Sequence, residues 1–432
     1  MRLVWAKRLA VLMVFGLLPL SAVSETLSLD QCIELALKNR ANIIIARGRA
    51  KQAGADQLAA LGQFLPSFSG RYERSTGEQY EINSPTDTNA RQEFGPDKSL
   101  SVSGSIDIVN FSTWFNYMGS RASNAAAHLA AIDTEQELIF GVKSAYYDYL
   151  RAVQNEETNK QAVERSKEQL KLVESRYELG SAAYSDVLGQ RVQYGNDRLE
   201  HIRAQNSVTT SRAVLSYTIG IDPNRNVEFS VVENAREYEG TMEEALSFGL
   251  EHEPGLLSSG KEVSASKHGV GSALSEYLPK LSYFGSYSDF DGTQGFPNVF
   301  DRSYKSKFFG FVLSYNIFDG FGKQREITRA KIARNNAMAN YSDTKNLVRQ
   351  QIKTAYLDIQ NQKEAVSVAR ESVAAAEENM KIVQERYNLG AATILDLLTA
   401  QEDLKRAQVS LINSKFDLNL AVARLENAMG KP

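Results

Sequence analysis

The sequence predicts an α+β membrane protein built as a tandem internal repeat. Three observations lead there: a motif that occurs twice, strands that alternate apolar and serine side chains, and helical stretches too long for one globule. The motif reads VESRYELGSAAYSDVL at Val173–Leu188 and VQERYNLGAATILDLL at Val383–Leu398, with Arg176/Arg386, Tyr177/Tyr387, Leu179/Leu389, Gly180/Gly390, Ala182/Ala392, Asp186/Asp396 and Leu188/Leu398 matching without a gap. The same offset pairs Ala145 with Ala355, Tyr146 with Tyr356 and Gly220 with Gly430, and Leu65-Pro66 realigns with Leu278-Pro279 after a small drift. Two large units exclude a short-period solenoid.

The chain of 432 residues is 43% hydrophobic and 23% charged, which fits a folded protein and not a multi-span helical membrane protein. Residues 1–24 carry Arg2, Lys7 and Arg8, an apolar run Leu9–Leu20, and small residues Ala22 and Ser24 before Glu25. That is the pattern of an export signal cut before Glu25, since an apolar run of about 12 residues is short of the roughly 20 needed to span a bilayer. Its removal takes three cations and no acid, so the net charge moves from −3 to −6. No basic run suggests nucleic acid. The single cysteine, Cys32, lies in a helical pattern and reads as a small buried hydrophobe.

The mature chain divides into a first repeat at 25–220, a connector at 221–240 and a second repeat at 241–432. Each repeat opens with two short helices. Ser28 is the N-cap of one running to about Asn39, and Thr241-Met-Glu-Glu244 forms a capping box for its copy, which stops at Pro254. A second helix follows, about Ile43–Gly62 and Leu256–Tyr277, and each ends at Leu-Pro.

Alternation then replaces helical period over about 66–110 and 279–318, so each repeat carries a hairpin. Leu100, Val102, Gly104, Ile106 and Ile108 share one face of the clearest strand, and Ser99, Ser101, Ser103, Ser105 and Asp107 the other. Polar loops are expected at Gly77–Pro96 and Gly292–Arg302, with a last strand at Lys307–Phe318. Apolar and serine faces over about 9–11 residues suit a strand crossing an outer membrane. Tyr72, Tyr80, Tyr283, Tyr287, Phe290, Phe309, Phe311 and Tyr315 supply candidates for an interfacial girdle. Four strands cannot close a pore, because such barrels begin at about eight. A half-buried hairpin of a soluble domain has the same alternation; if the strands cross a membrane, several chains must share one barrel.

Long helices follow at about 119–179 and 323–389, each near 90 Å at 1.5 Å per residue. The second carries an unbroken seam through Val348, Ile352, Ala355, Ile359, Gln362, Val366, Ala369, Val373, Ala376, Met380, Val383 and Tyr387. The first keeps the seam with a polar middle at Glu156 and Asn159. After the turns at Gly180 and Gly390, helices return over about 184–219 and 393–428. Leu397, Leu404, Leu411, Leu418 and Leu425 recur every seventh residue in the second, whereas the first places Tyr194 and His201 on that stripe. The connector holds an apparent short strand, Val227–Val232.

An export signal, then two copies of short helices, Leu-Pro, hairpin, long helix, Tyr-x-x-Gly turn and returning helix, resembles the TolC family of outer-membrane efflux proteins. The resemblance covers nearly the whole mature chain. It implies a homotrimer whose twelve strands form one β-barrel in the outer membrane of a Gram-negative bacterium, continued through the periplasm by an α-helical coiled-coil barrel. It also implies an exit duct for an efflux or type I secretion system, handed its cargo by an inner-membrane transporter and a periplasmic adaptor protein. The tip would be Arg176, Tyr177, Asp186, Arg386, Tyr387 and Asp396, with Asp186 and Asp396 forming acidic rings in three chains. The adaptor would dock on the turns, Leu179, Gly180 and Ser181 in one repeat and Leu389, Gly390 and Ala391 in the other. Where some relatives place a basic latch two residues after the turn glycine, this chain has Ala182 and Ala392. Thr393-x-x-Asp396 also reads as a capping box, and both glycines as αL caps.

No cofactor or catalysis is expected. His128, His201, His252 and His268 are scattered without metal-ligand spacing, and no phosphate loop or nucleophile elbow appears in context. Gly269-Val-Gly271 in a helical stretch reads as a close-packing feature. The alternative from another class is a periplasmic coiled-coil scaffold without a pore.

Overall fold

The computed structural model describes residues 26–80, 91–225, 227–230, 238–294 and 300–431. The export signal, the cleavage position before Glu25, the side chain of Tyr80 and most of the connector strand's second half lie outside the described residues. In chain order the first repeat is β1 (Thr26–Leu27), α1 (Leu29–Asn39), α2 (Ala41–Gly62), β2 (Ser67–Tyr80), β3 (Arg91–Val109), α3 (Phe111–Glu178) and α4 (Tyr184–Thr218). After β4 (Glu228–Phe229) the second repeat gives α5 (Met242–His252), α6 (Pro254–Ser275), β5 (Lys280–Gln294), β6 (Phe300–Ser314), α7 (Gly322–Asn388) and α8 (Ile394–Ala428).

Both short-helix starts are capping boxes. Gln31 N–H donates to Ser28 Oγ at 3.3 Å and Glu244 N–H to Thr241 Oγ1 at 3.2 Å, while each partner side chain accepts from the cap backbone. These boxes satisfy donors that a helix start leaves orphaned.

β2, β3, β5 and β6 form one antiparallel sheet in that order. Its register puts Phe68 beside Gly104, Gly104 beside Gly285 and Gly285 beside Phe309, one apolar row across all four strands. The neighbouring row on the other face is Ser69, Ser103, Ser286 and Phe308, with the first two hydroxyls 2.8 Å apart. The strands run into the expected loops on both sides, so 292–294 and 300–302 are ladder, because cross-strand pairing supplies hydrogen bonds that polar, Gly-rich segments accept once a partner lies opposite. The last strand stops at Ser314 rather than Phe318. Its partner strand begins at Lys280, after Pro279, which has no N–H to extend the ladder. Phe290 departs from the girdle expectation. It pairs with Ser99 on the serine face and stacks on Tyr304 at 5.3 Å, so the second hairpin's opposite face is partly aromatic.

The first long helix begins at Phe111, not Gly119, with Asn110 Oδ1 accepting from Ser112 N–H at 3.1 Å. Every position of the α7 seam is buried or half-buried, from Val348 through Tyr387. In α3 the polar middle finds its own partner. Glu156 meets His201 Nε2 at 2.7 Å, so the seam's acid and the returning helix's histidine satisfy each other.

Each repeat has its own core. Cys32, Ile43, Val142, Tyr146, Leu215 and Phe229 form the first, closed by the parallel pairing of β1 with β4. Tyr146 Oη donates to Ser230 O beside it. Burial pushes the Cys32 thiol up to about 12, which keeps it an inert hydrophobe. Ala245, Leu256, Ile352, Ile359, Leu425 and Met429 form the second. Side chains of this size contribute about 1.5–3 kcal/mol each on full burial. Of the two close-packing glycines, Gly271 is one, since a Cβ there would meet Phe115 Cδ1 at 2.5 Å. Gly269 has open space.

Between repeats, ion pairs accompany apolar contacts such as Phe416 of α8 packing into the first core. Lys143 pairs with Glu426 at 2.7 Å, Arg151 with Asp417 at 2.7 Å and Lys405 with the buried Asp197 at 3.2 Å. Hydrocarbon seams therefore bind each hairpin internally, and ion pairs add to the apolar contacts by which α3 and α4 sit against α8.

Candidate functional site

The two repeated turns close the far ends of the long helices. Ser181 N–H donates to Arg176 O at 2.8 Å and Gly180 N–H to Tyr177 O at 2.9 Å. In the copy, Ala391 donates to Arg386 at 2.7 Å and Gly390 to Tyr387 at 3.1 Å. Both are Schellman ends, and their glycines sit at φ 74°, a left-handed conformation that a Cβ disfavours. The αL-cap reading of Gly180 and Gly390 therefore holds. Leu179 and Leu389 project from the turns 83% and 84% exposed, unusual for leucines at the end of a packed helix pair.

The two turns differ in their next residue. Thr393 caps α8 with a full box: Asp396 N–H donates to Thr393 Oγ1 at 3.2 Å, and Asp396 Oδ2 accepts from Thr393 N–H at 2.8 Å and from its hydroxyl at 2.7 Å. Those donors hold the Asp396 carboxyl below the usual range, with the Arg386 charge adding to the effect. In the first repeat Ala183 takes the cap position and no side chain caps α4. Asp186 accepts only a long 3.4 Å bond from Ser185 Oγ.

A small core of Val173, Val187, Tyr387 and Leu397 joins the hairpins just above the turns. Arg176 crosses between repeats, donating to Asn388 Oδ1 at 3.1 Å with its guanidinium 5.1 Å from the Tyr387 ring. Burial raises the Tyr387 phenol, the Arg176 charge pulls it down, and the Asp186 charge raises it again. The structure thus gathers Arg176, Tyr387, Asp186 and Asn388, and leaves Asp396 with Thr393 and Arg386. Arg386 donates only within its own turn, to Ala391 O at 3.3 Å. Tyr177, the repeat mate of the buried Tyr387, is 45% exposed and packs on Tyr184 at 5.4 Å. Asn388 and Tyr184 were not visible as site residues in the sequence, because their matches, Glu178 and Ile394, belong to other residue classes.

Among the described residues no group of three or more His, Cys, Asp or Glu is arranged to hold a metal ion, and no helix is long and apolar enough to cross a membrane. A family model described as "Outer membrane efflux protein" matches residues 32–220 and 246–431, one block per repeat. The chain belongs to the outer membrane efflux protein family. Members of this family are outer-membrane channels of efflux and type I secretion systems and not enzymes. The outer membrane efflux protein BepC of Brucella suis is 23% identical over 95% of this chain and 86% of its own length. The outer membrane protein TolC of Vibrio cholerae is 24% identical over 77% of this chain and 76% of its own. The fold is shared with the CmeC outer membrane channel of Campylobacter jejuni, at TM-score 0.81 and 21% identity over 93% of this chain and 85% of that one. As an efflux-family channel the protein sits in the bacterial outer membrane with its helices extending into the periplasm.

Proposed function

We propose that three copies of this chain assemble into one twelve-stranded barrel and helical tunnel, and that the tunnel is a passive exit duct with a gate at the paired turns. An inner-membrane transporter supplies the work, and a periplasmic adaptor docks on the turns through the exposed Leu179 and Leu389. The observation that carries this reading is the geometry of the tip, where two turns of the same hydrogen-bond pattern are joined by Arg176 on Tyr387 and Asn388. A four-stranded share with exposed edge strands needs further copies to close.

The aspartates divide unequally. Asp396 is committed to its cap, whereas Asp186 has no capping duty and faces the cross-repeat cluster, so it carries more of the charge seen by a passing ion. Single-channel conductance of the purified protein in a planar bilayer tests both points. A small cation-preferring conductance is expected, with Asp186→Asn weakening the preference more than Asp396→Asn. The latter instead weakens only the reciprocal half of the capping box, with Thr393 still capping α8. Unchanged selectivity in the double variant returns both aspartates to structural roles, and absent conductance from folded protein overturns the duct.

A further inference from the structure

The serine face of the sheet changes character halfway across. In the duct reading Phe309, Phe311 and Leu313 face lipid and the serine face lines the lumen, which in a barrel of this class is polar. The first hairpin obeys that rule. The hydroxyls of Ser67 and Ser105 lie 3.1 Å apart and those of Ser69 and Ser103 2.8 Å apart. On β5 and β6 the same two rows carry Phe284 and Phe308, and further along the same face come Phe290 and Tyr304. The rings pair across the strands, Phe284 with Phe308 at 5.5 Å and Phe290 stacked on Tyr304 at 5.3 Å. Phe308 and Tyr304 are 64% and 51% exposed.

The duplication supplies an internal comparison. With Leu65-Pro66 set on Leu278-Pro279, Phe284 stands where the first hairpin has Arg71. With the alternating run from Leu100 set on that from Phe309, Phe308 stands where it has Ser99. Both hairpins form the same ladder, so neither pairing nor register needs the rings. Large apolar groups left exposed without a folding task mark a contact surface. In the duct reading this surface meets only water and cargo. Phe284 and Phe290 are six residues apart on one strand, about 20 Å at 3.4 Å per residue, and Ser288 opposite Ser306 lies between them. Two ring pairs separated by hydroxyls give successive weak stations rather than one trap, and conduction requires binding weak enough to release. A flat ring system can stack on such a pair while its polar edge meets the serines of the neighbouring strands.

We propose that Phe284 with Phe308 and Phe290 with Tyr304 form an aromatic track on the lumen wall, once per chain, and that the duct's cargo is planar multi-ring molecules with a polar edge. The inference rests on the duct reading, so the test separates the two. Ethidium and tetrapropylammonium, a planar aromatic and a non-aromatic monocation, are each added on the barrel side of the full-length channel in a planar bilayer. Their equal charge makes the acidic tip a common factor. Ethidium should block the current reversibly at concentrations about tenfold below those of tetrapropylammonium. Phe308→Ser and Phe290→Ser should each raise the half-blocking ethidium concentration about fivefold, the measure of one lost ring contact, and leave tetrapropylammonium unaffected. Phe308→Ser copies the first hairpin, which forms its strands with Ser99 at that place. Ser99→Phe, opposite Phe290, adds a ring to that station and should tighten the block. A conducting channel that ethidium and tetrapropylammonium block alike overturns the aromatic track and leaves the duct standing. An ethidium block unmoved by all three variants overturns it too, placing the binding elsewhere in the tunnel. Absent conductance from folded protein overturns the duct, and the track with it.

Discussion

Replacing Gly430 with alanine is expected to destabilise the protein by about 2–4 kcal/mol, whereas Gly390→Ala costs only about 1 kcal/mol. The two glycines have nearly the same backbone, φ 76° and 74°, and each closes a helix with the same Schellman bonds. The left-handed cost is thus common to both. What differs is the space. A Cβ at Gly390 meets nothing within 4 Å, while at Gly430 it falls 2.9 Å from Glu253 Cα, 2.9 Å from His252 O and 3.1 Å from Pro254 Cδ. Two of those atoms are backbone and the third is a proline ring, so no side-chain rotation relieves the contact. The Gly430 carbonyl also accepts from Gln136 Nε2 at 2.8 Å, and a displaced C-terminal turn loses that bond to α3. Thermal melting of the detergent-solubilised protein at fixed concentration reads the difference. Equal losses at the two positions would show that conformation alone, and not the close approach of the chain end to the α5–α6 turn, sets the cost.

That contrast also marks what the sequence displayed. Gly430 is the repeat mate of Gly220, and Gly390 of Gly180, so the duplication revealed all four turn glycines. It did not reveal which were crowded, because crowding depends on elements nearly two hundred residues away. The long helices were legible for the opposite reason. Their seams are local and periodic, and Val348, Ile352, Ala355 and Ile359 are buried as the spacing requires. The start of α3 was hidden because Gly119 looks like a break, yet it lies within the helix where α6 approaches, so that a Cβ there would sit 3.7 Å from Ala265 O. The strand tips were hidden because their residues have weak strand preference and take their order from the partner strand. At the tip, the turns and their capping were readable from one repeat alone. Arg176 reaching Asn388 was not, since it joins positions on different repeats and no periodicity encodes that pairing.

The same logic exposes a pair of acids that no motif announced. Asp133 on α3 lies against Glu253, the N-cap of α6, and is half-buried there. Glu253 spends its oxygens on Gly255 N–H at 2.9 Å and Leu256 N–H at 2.5 Å, so the proton between the two acids belongs on Asp133. Burial first, and then the charges of Glu253 and Glu137, push the Asp133 carboxyl up to about 7. The folded value lies above that of an unfolded aspartate, near 3.9, so folding favours the protonated form. The stabilisation is therefore complete below about pH 4 and is lost as pH rises through 7. Melting temperature is expected to fall between pH 5 and pH 8 in the wild type. Asp133→Asn keeps the shape and hydrogen-bonding reach without the charge, so it should flatten that slope and raise stability at pH 8 by about 2 kcal/mol. A variant that retains the wild-type slope would move the titration to another group. The outcome bears on the channel because this contact ties α3 to the α5–α6 turn and the chain terminus, where Gly430 also packs. A loss of the proton there loosens one of the contacts by which the short helices of the second repeat grip the long helix of the first, beside that of Ser258 Oγ with Ala126 O.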